Sequence, residues 1–186
     1  MIRRLILSSL FSTSLFAAEA PSEKPALRYE RPIGIGNYGI ETIESVQGEG
    51  LVKLNGTSVN ELHLSGSLIS KDAKLGSLTI LGEANLRDTT IAGDTTVTGT
   101  VRTHNSHFQK PLTICTQKAA FTRTKLHSLT IRKEPSYKGK QIIELKQGSI
   151  VQGPIHFESG KGEVHIDASS RIEDKVTGGK VIRRSS

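Results

Sequence analysis

The sequence has little cysteine and little aromatic content, with one Cys, no Trp, three Tyr and five Phe in 186 residues. A single cysteine excludes a disulfide within the chain, and no cysteine stands where a lipid anchor would need one after the N-terminal apolar segment. The shortage of aromatic residues argues against nucleic acid as a partner, because unpaired bases bind by stacking on aromatic rings. Strand pairing and apolar packing therefore have to stabilise the chain.

The first twenty residues have the features of an export signal. Arg3 and Arg4 precede an apolar stretch over residues 5–16, and Ala18-Glu19-Ala20 fits a small-x-small cleavage site. The apolar stretch is short and interrupted by Ser and Thr, whereas a membrane-spanning helix needs about 20 apolar residues. We therefore expect residues 1–20 to be removed on export to the periplasm or the exterior, leaving no integral membrane span.

Basic residues outnumber acidic ones, with 25 Lys and Arg against 18 Asp and Glu, for a net charge of +7. Loss of residues 1–20 would change this only slightly, because that segment contributes two arginines and one glutamate. A basic balance suits an anionic partner, such as an acidic glycan, lipid head groups or an acidic protein face. An envelope protein or an anionic glycan is the partner class that we expect.

An apolar-x-apolar triplet recurs every 16 or 17 residues. Each unit holds too few apolar residues to bury a core alone, so the units must stack as a solenoid. The period-two alternation indicates short strands, and glycine or paired polar residues between them supply the corners. The predicted fold is all-β, a single-stranded parallel β-helix, right-handed by the general preference of crossover connections. The triplets are Leu62-His63-Leu64, Leu78-Thr79-Ile80, Thr95-Thr96-Val97, Leu112-Thr113-Ile114 and Leu129-Thr130-Ile131.

The repeat predicts ladders of equivalent residues along the axis. One inward ladder is expected to contain Val46, Leu62, Leu78, Thr95, Leu112 and Leu129. An outward ladder is expected at a solvated corner, where it is the candidate binding surface. Its members are Lys71, Asp72, Arg87, Asp88, His104 and Asn105.

The same pattern divides the chain. Residues 21–44, rich in proline at the start, are expected to be an extended lead, and residues 45–182 the β-helix domain. Five clear turns precede a loop insertion at residues 132–140, which has neither the period nor the apolar content, and two longer turns of about 21 residues follow it. Residues 183–186 form a basic tail.

Several motifs suggest chemistry that their context does not support. The segment from Gly34 to Gly39 has the spacing of a dinucleotide-binding loop, but no helix is indicated after it, so we expect either a flexible lead or the approach to a cap of the solenoid. His104 and His107 flank a corner without two further metal ligands nearby in the repeat. His156 and His165 are expected on the outer face of strands as a stacked pair.

One cluster could be nominated for catalysis. The regular turns lack the long loops that build a cleft around a sugar chain, so we expect no enzymatic activity, no cofactor and no metal. The lone Cys115 is expected to be a packing or surface thiol. The nominated cluster is Asp72, Asp88, Asp94, Arg87 and Arg102.

The turn length, the glycine-punctuated strands and the compact size resemble those of the bactofilins. The residues that carry this resemblance are the units from Val46 to Ile131 and the segments Gly148 to Ile155 and Val176 to Val181. The resemblance implies a right-handed β-helix whose subunits stack end to end into filaments, without nucleotide, as a scaffold. The export signal departs from that family, whose members are typically cytoplasmic.

We therefore expect a non-enzymatic structural or interaction protein of the bacterial cell envelope that can self-associate through the solenoid ends. The ends matter because unpaired amides and carbonyls there invite another strand unless they are capped. Two alternatives stay open from the sequence. One is a secreted β-helix protein that binds or cleaves glycans, and the other is an accessory subunit of an envelope or secretion assembly.

Overall fold

The structure is a computed structural model that describes residues 28–184. The export signal expected at residues 1–20, the first part of the expected lead and the last two residues of the tail lie outside this range. The described part contains strands and their connections but no helix, so it offers no helix long and apolar enough to cross a membrane.

Short strands follow one another around the rod, and three of them form the three faces of a turn. In one turn, for example, β8 (His107–Phe108), β9 (Leu112–Cys115) and β10 (Lys118–Thr122) form the first, second and third face respectively. In three earlier turns, a single strand of 14 residues bends around all three faces. The strands are β1 Tyr29–Glu30, β2 Ile33–Tyr38, β3 Thr42–Asn55, β4 Ser58–Lys71, β5 Lys74–Arg87, β6 Thr90–Ile91, β7 Thr95–His104, β8 His107–Phe108, β9 Leu112–Cys115, β10 Lys118–Thr122, β11 Lys125–Leu126, β12 Leu129–Ile131, β13 Gln141–Lys146, β14 Ile150–Val151, β15 Ile155–Phe157, β16 Gly162–Ile166, β17 Arg171–Ile172, β18 Val176–Thr177 and β19 Gly179–Arg183.

Every pairing between these strands is parallel and joins equivalent positions of successive turns. On the first face, for example, β8 pairs with β6 before it and with β11 after it. The ladders run through about nine turns of the described chain, with a spacing near 17 residues. The predicted all-β parallel solenoid is confirmed.

The inward ladder lies where the sequence places it. Its six predicted members are consecutive partners along the second face, and each is at most 2% exposed. Burial of one such leucine stabilises the fold by roughly 2 kcal/mol. Thr95 is the polar member of this ladder, and its Oγ1 has no hydrogen-bond partner among the described residues. A stack of such contacts gives the rod its core.

A column of glycines forms the corner between the second and third faces. Gly50, Gly66, Gly82 and Gly99 are successive partners, and their φ values lie between 114° and 143°. A side chain there is excluded by contact as well as by conformation, because a Cβ on Gly82 would lie 2.0 Å from the carbonyl oxygen of Gly66. The turns therefore approach each other too closely at this corner to leave room for a side chain.

The solenoid begins earlier than the boundary at residue 45 expected from the sequence. β2 pairs along its whole length with residues 49–54 of β3, and β1 pairs with Ser45 and Val46. The segment from Gly34 to Gly39 thus lies in and beside an edge strand of the first turn. Of the two expectations for this segment, the flexible lead is wrong. A dinucleotide-binding loop would have to open a helix, and none follows.

The second half of the rod differs from the sequence expectation in one pairing. The expected stacking of His156 on His165 does not occur. His156 lies beside Thr130 on the second face, whereas His165 lies beside Glu144 on the third. The connection over residues 158–161 carries the chain around a corner between them, so the two histidines belong to successive faces of one turn.

Candidate functional site

The outward ladder proposed as a binding surface lies at the corner between the third face and the next turn. Lys71, Arg87 and His104 are consecutive partners at the ends of their strands. The residues that follow them turn the chain with positive φ, at 52° for Asp72, 49° for Asp88 and 48° for Asn105. Asp and Asn tolerate this left-handed conformation better than other residues with side chains. We call this the left-handed corner.

The left-handed corner extends beyond the ladder that the sequence predicts. Arg123 takes the same conformation one turn after Asn105, with a φ of 51°. The available signal in the sequence was a hydroxyl residue after the corner, because Thr124 follows Arg123 as Thr89 follows Asp88 and Ser106 follows Asn105. Along one corner the outward charge therefore changes from negative at Asp88 to positive at Arg123.

Buried hydroxyl groups hold the left-handed corner in place. Thr89 Oγ1 donates to the carbonyl of Arg87 at 2.8 Å, and Thr124 Oγ1 donates to that of Thr122 at 2.9 Å. Ser106 Oγ accepts from the backbone N–H of Thr89, which joins adjacent turns. A buried hydroxyl without a partner would cost about 1–3 kcal/mol, so these bonds fix the corner backbone and the side chains it presents.

The charged groups of the corner are solvated. Lys71 lies 3.9 Å from Asp72, and their side chains are 61% and 56% exposed. Asn105 Nδ2 donates to Asp88 Oδ1 at 2.6 Å. Exposed pairs of this kind contribute at most about 1 kcal/mol each. The corner can present alternating charge to a ligand, but its ion pairs do little for the stability of the fold.

The cluster nominated for catalysis is not assembled. Asp72 and Asp88 lie at the left-handed corner, whereas Asp94 lies at another corner, on the far side of the first face formed by β6. Arg102 forms an ion pair with Glu83. The residues of this cluster therefore do not converge on one substrate position.

The histidines near the left-handed corner have cationic neighbours. His107 is the strand partner of Lys125, and burial together with this positive charge lowers the pKa of His107. Among residues 28–184, no three His, Cys, Asp or Glu side chains converge as metal ligands.

Cys115 lies in a groove of about 510 Å³ between the solenoid wall and the loop at residues 132–140. Its Sγ donates to Glu134 Oε2 at 3.4 Å. Burial raises the pKa of the Cys115 thiol, and the Glu134 carboxylate raises it further. The thiol is thus held in its protonated, poorly nucleophilic form.

Glu144 is a carboxylate of the third face that two lysines hold in place. Its two oxygens accept from Lys118 Nζ at 2.9 Å and from Lys146 Nζ at 2.7 Å, and its side chain is only 9% exposed. Burial alone would raise the pKa of Glu144, but the hydrogen bonds from Lys146 and Lys118 lower it from 4.5 to about 2. A depression of this size corresponds to about 3 kcal/mol of stability at neutral pH.

Glu144→Gln is expected to destabilise the protein by about 2–3 kcal/mol at pH 7. Because the pKa is lower in the folded state, the stabilisation is present above pH 4.5 and is lost as the pH falls towards 2. The difference between wild type and variant should therefore disappear across this window when urea unfolding is followed. Glu83→Gln, at an exposed ion pair with Arg102, is the control and should change stability by less than about 0.5 kcal/mol. A Glu144→Gln penalty that persists unchanged at pH 2 would contradict the ion-pair account.

The first turn covers its end of the core with a polar cluster. Glu30 and Tyr38 stand in inward columns, as partners of Val46 and Leu54. The Tyr38 ring packs across Gly36, and burial together with the Glu30 carboxylate raises the pKa of Tyr38. Arg28 forms ion pairs with both Glu30 and Glu41. Terminal repeats of solenoids are closed by such polar groups.

The last turn leaves its end of the core open. Ile172 and Val176 are only partly buried, and Val181 is 42% exposed although its partner Val164 is fully buried. A groove of about 540 Å³ lies there, bounded by Asp174 and Arg183. Among the described residues, no strand pairs with the free edges of β17, β18 and β19. We call this the C-terminal groove.

Comparison with known proteins found no relative of this chain. No family model, no curated protein and no solved structure matches this chain. The likeness to the bactofilins is therefore one of architecture: a parallel β-solenoid whose shape is compatible with end-to-end stacking.

Proposed function

We propose that the protein is a non-enzymatic structural rod of the bacterial cell envelope that associates with a second copy through the C-terminal groove. Its location in the envelope is supported by the export features of residues 1–20. Its role as a rod is supported by the ladders that run through about nine turns. At a strand spacing of 4.7–4.9 Å, nine turns extend about 43 Å.

The observation that carries the proposal is the difference between the two ends. At the first turn, Arg28, Glu30 and Tyr38 close the core with polar groups. At the last turn, Val181 remains exposed above a fully buried Val164. An apolar core end beside unpaired strand edges is a site for association.

The first turn also exposes large apolar side chains, but they face sideways. Ile33 is 89% and Ile35 is 67% exposed. Their partners are Glu49 and Leu51, which belong to outward columns. These side chains therefore lie on the lateral surface and do not extend the core along the axis.

The rim of the C-terminal groove is self-complementary in charge. Asp174 and Arg183 both line the groove, and neither forms an ion pair within residues 28–184. A two-fold axis through this end would bring Arg183 of one copy towards Asp174 of the other. Such an interface uses the same patch on both copies and closes as a dimer, so a capped first turn would prevent growth into a filament.

Light scattering across a concentration series, with negative-stain imaging, tests this proposal. The wild type should convert from single rods to rods of twice the length, about 86 Å by the same spacing. Val181→Asp should raise the dissociation constant at least about a hundredfold, because each copy loses an apolar contact worth about 1.5 kcal/mol and gains a desolvated charge.

Ile33→Asp is the matched control, because it places the same charge on an exposed apolar site of the other end. It should leave the dissociation constant unchanged. A monomer at all concentrations would refute self-association. Filaments that both variants disrupt would show that both ends take part, as the resemblance to bactofilins implies.

A further inference from the structure

The middle of the chain carries basic residues without acidic ones. Between Asp94 and Glu134 there is no Asp or Glu, although both occur regularly before and after this stretch. The cations of the stretch are Arg102, Lys110, Lys118, Arg123, Lys125, Arg132 and Lys133. Because this stretch runs from β7 to just beyond β12, it winds more than twice around the rod. We call it the basic band.

Neighbouring turns neutralise only part of the basic band. Arg102 pairs with Glu83 from the turn before, and Lys118 pairs with Glu144 from the turn after. The other five cations form no salt bridge with any described residue. They lie at several faces and corners of the rod, because they follow the chain around the axis. The band is thus a belt of unpaired positive charge.

Two of the unpaired cations lie at the left-handed corner. Arg123 stands at the corner itself, and Lys125 follows it on the first face beside His107. The equivalent corner positions two turns earlier hold Asp88 instead of a cation. The lowered pKa of His107, caused by burial and by Lys125, agrees with a positive potential here.

The surroundings of these cations indicate what kind of anion would bind. None of the large exposed apolar side chains of the described chain lies within the basic band. A bilayer or a protein partner would draw much of its binding energy from such side chains. A bilayer is also flat and would meet one face of the rod, whereas the unpaired cations encircle it. A flexible, hydrophilic chain of negative charges can follow the belt.

We propose that the basic band binds a flexible polyanionic glycan, one that carries carboxylate or phosphate groups along its chain. Arg123 and Lys125 would contact its anionic groups at the left-handed corner, and the polymer would continue around the rod towards Lys110 or Arg132. This site lies two turns before the last turn and shares no residue with the lining of the C-terminal groove, so it does not depend on the proposed self-association.

Binding of polygalacturonate, a carboxylated glycan, to the purified protein tests the proposal, with affinity measured by calorimetry at several salt concentrations. The double variant Arg123→Asn/Lys125→Thr removes two cations. Both replacements are residues that the chain already uses in equivalent positions of earlier turns, because Asn105 is equivalent to Arg123 and Thr90 is equivalent to Lys125. It should bind about tenfold more weakly. Wild-type affinity should fall as salt rises.

The control variant is Lys53→Asn/Lys74→Thr, which removes the same charge from turns outside the basic band. These replacements also occur in neighbouring turns, because Asn37 is the strand partner of Lys53 and Thr90 is the strand partner of Lys74. The control should bind within about twofold of the wild type if the band is the site. Equal losses in both variants, no binding at 0.15 M salt, or tighter binding to a DNA duplex than to the glycan would each overturn the proposal. Val181→Asp should bind the glycan as the wild type does, which separates this site from the end interface.

Discussion

Ile80→Asp is expected to unfold the solenoid. Ile80 is 1% exposed, and its strand partners Leu64 and Val97 are also buried. An aspartate there would place a carboxylate in the apolar core with no cation able to reach it. The cost should exceed about 4 kcal/mol, a large part of the 5–15 kcal/mol by which domains of this size are stable. Far-UV circular dichroism and thermal melting of the purified variant measure the loss.

Thr79→Asp is the matched control for this substitution. Thr79 is the preceding residue of the same strand, and it is exposed in an outward column between His63 and Thr96. The same charge there should cost no more than about 1 kcal/mol, mainly through poorer strand propensity. Lys71→Ala and Arg87→Ala should likewise leave the fold intact. An Ile80→Asp variant that melts like the wild type would refute the inward placement of this column.

The repeat made the fold predictable because, in a solenoid, residues that contact each other between turns are separated by a constant number of residues. Leu62, Leu78 and Leu112 lie one or more periods apart, and they belong to one stacked column of the structure. The same offset placed Lys71 and Arg87 on one outward ladder. Where the period is constant, the spacing of residues in the sequence therefore shows which of them are neighbours in the structure.

The first and last turns could not be predicted as well, because terminal turns do not follow the pattern of the middle. In β2, glycines and exposed isoleucines replace the alternation, and Glu30 stands where the column otherwise holds an apolar residue. In β19, Arg183 is the partner of the buried Ile166. Residues at an end are selected for contact with solvent or a partner, so the core pattern weakens there.

Contacts across an insertion could not be predicted from the sequence for a different reason. Lys118 and Glu144 are 26 residues apart, because the loop at residues 132–140 lengthens that turn. Their ion pair, which holds the Glu144 pKa at about 2, could not be found from a period of 17. The expectation that His156 and His165 would stack came from the alternation in their strands, which places both side chains outward but does not show which face each one occupies. Once the offset is no longer constant, only the strand register shows which side chains meet.

The position of the basic band could not be predicted from composition. Net charge suggested an anionic partner but gave no position for it. The absence of acidic residues between Asp94 and Glu134 was present in the sequence, yet it has a physical meaning only when the chain is wound. Winding brings residues such as Arg123 and Lys125 beside His107 and turns a linear stretch into a belt.

Gly82→Ala is expected to destabilise the protein by more than about 4 kcal/mol. The φ of Gly82 is 140°, which residues with a side chain rarely adopt, and an added Cβ would lie 2.0 Å from the carbonyl oxygen of Gly66. That oxygen belongs to backbone fixed by strand pairing on both sides, so it cannot move away cheaply. Urea unfolding, followed by circular dichroism, should show a large decrease in the midpoint.

Two further glycines separate the contributions of conformation and contact. Gly148 has a φ of 81° with nothing within 4 Å of its added Cβ, so Gly148→Ala should cost only the conformational strain, about 1–2 kcal/mol. Gly76 has no positive φ, but its Cβ would lie 2.1 Å from the Asn60 carbonyl oxygen, so Gly76→Ala isolates the clash. If close approach between turns sets the requirement for glycine, Gly76→Ala should resemble Gly82→Ala and both should exceed Gly148→Ala. Equal, small losses at all three positions would mean that the turns can separate at their corners and that the rod is less rigid than its ladders indicate.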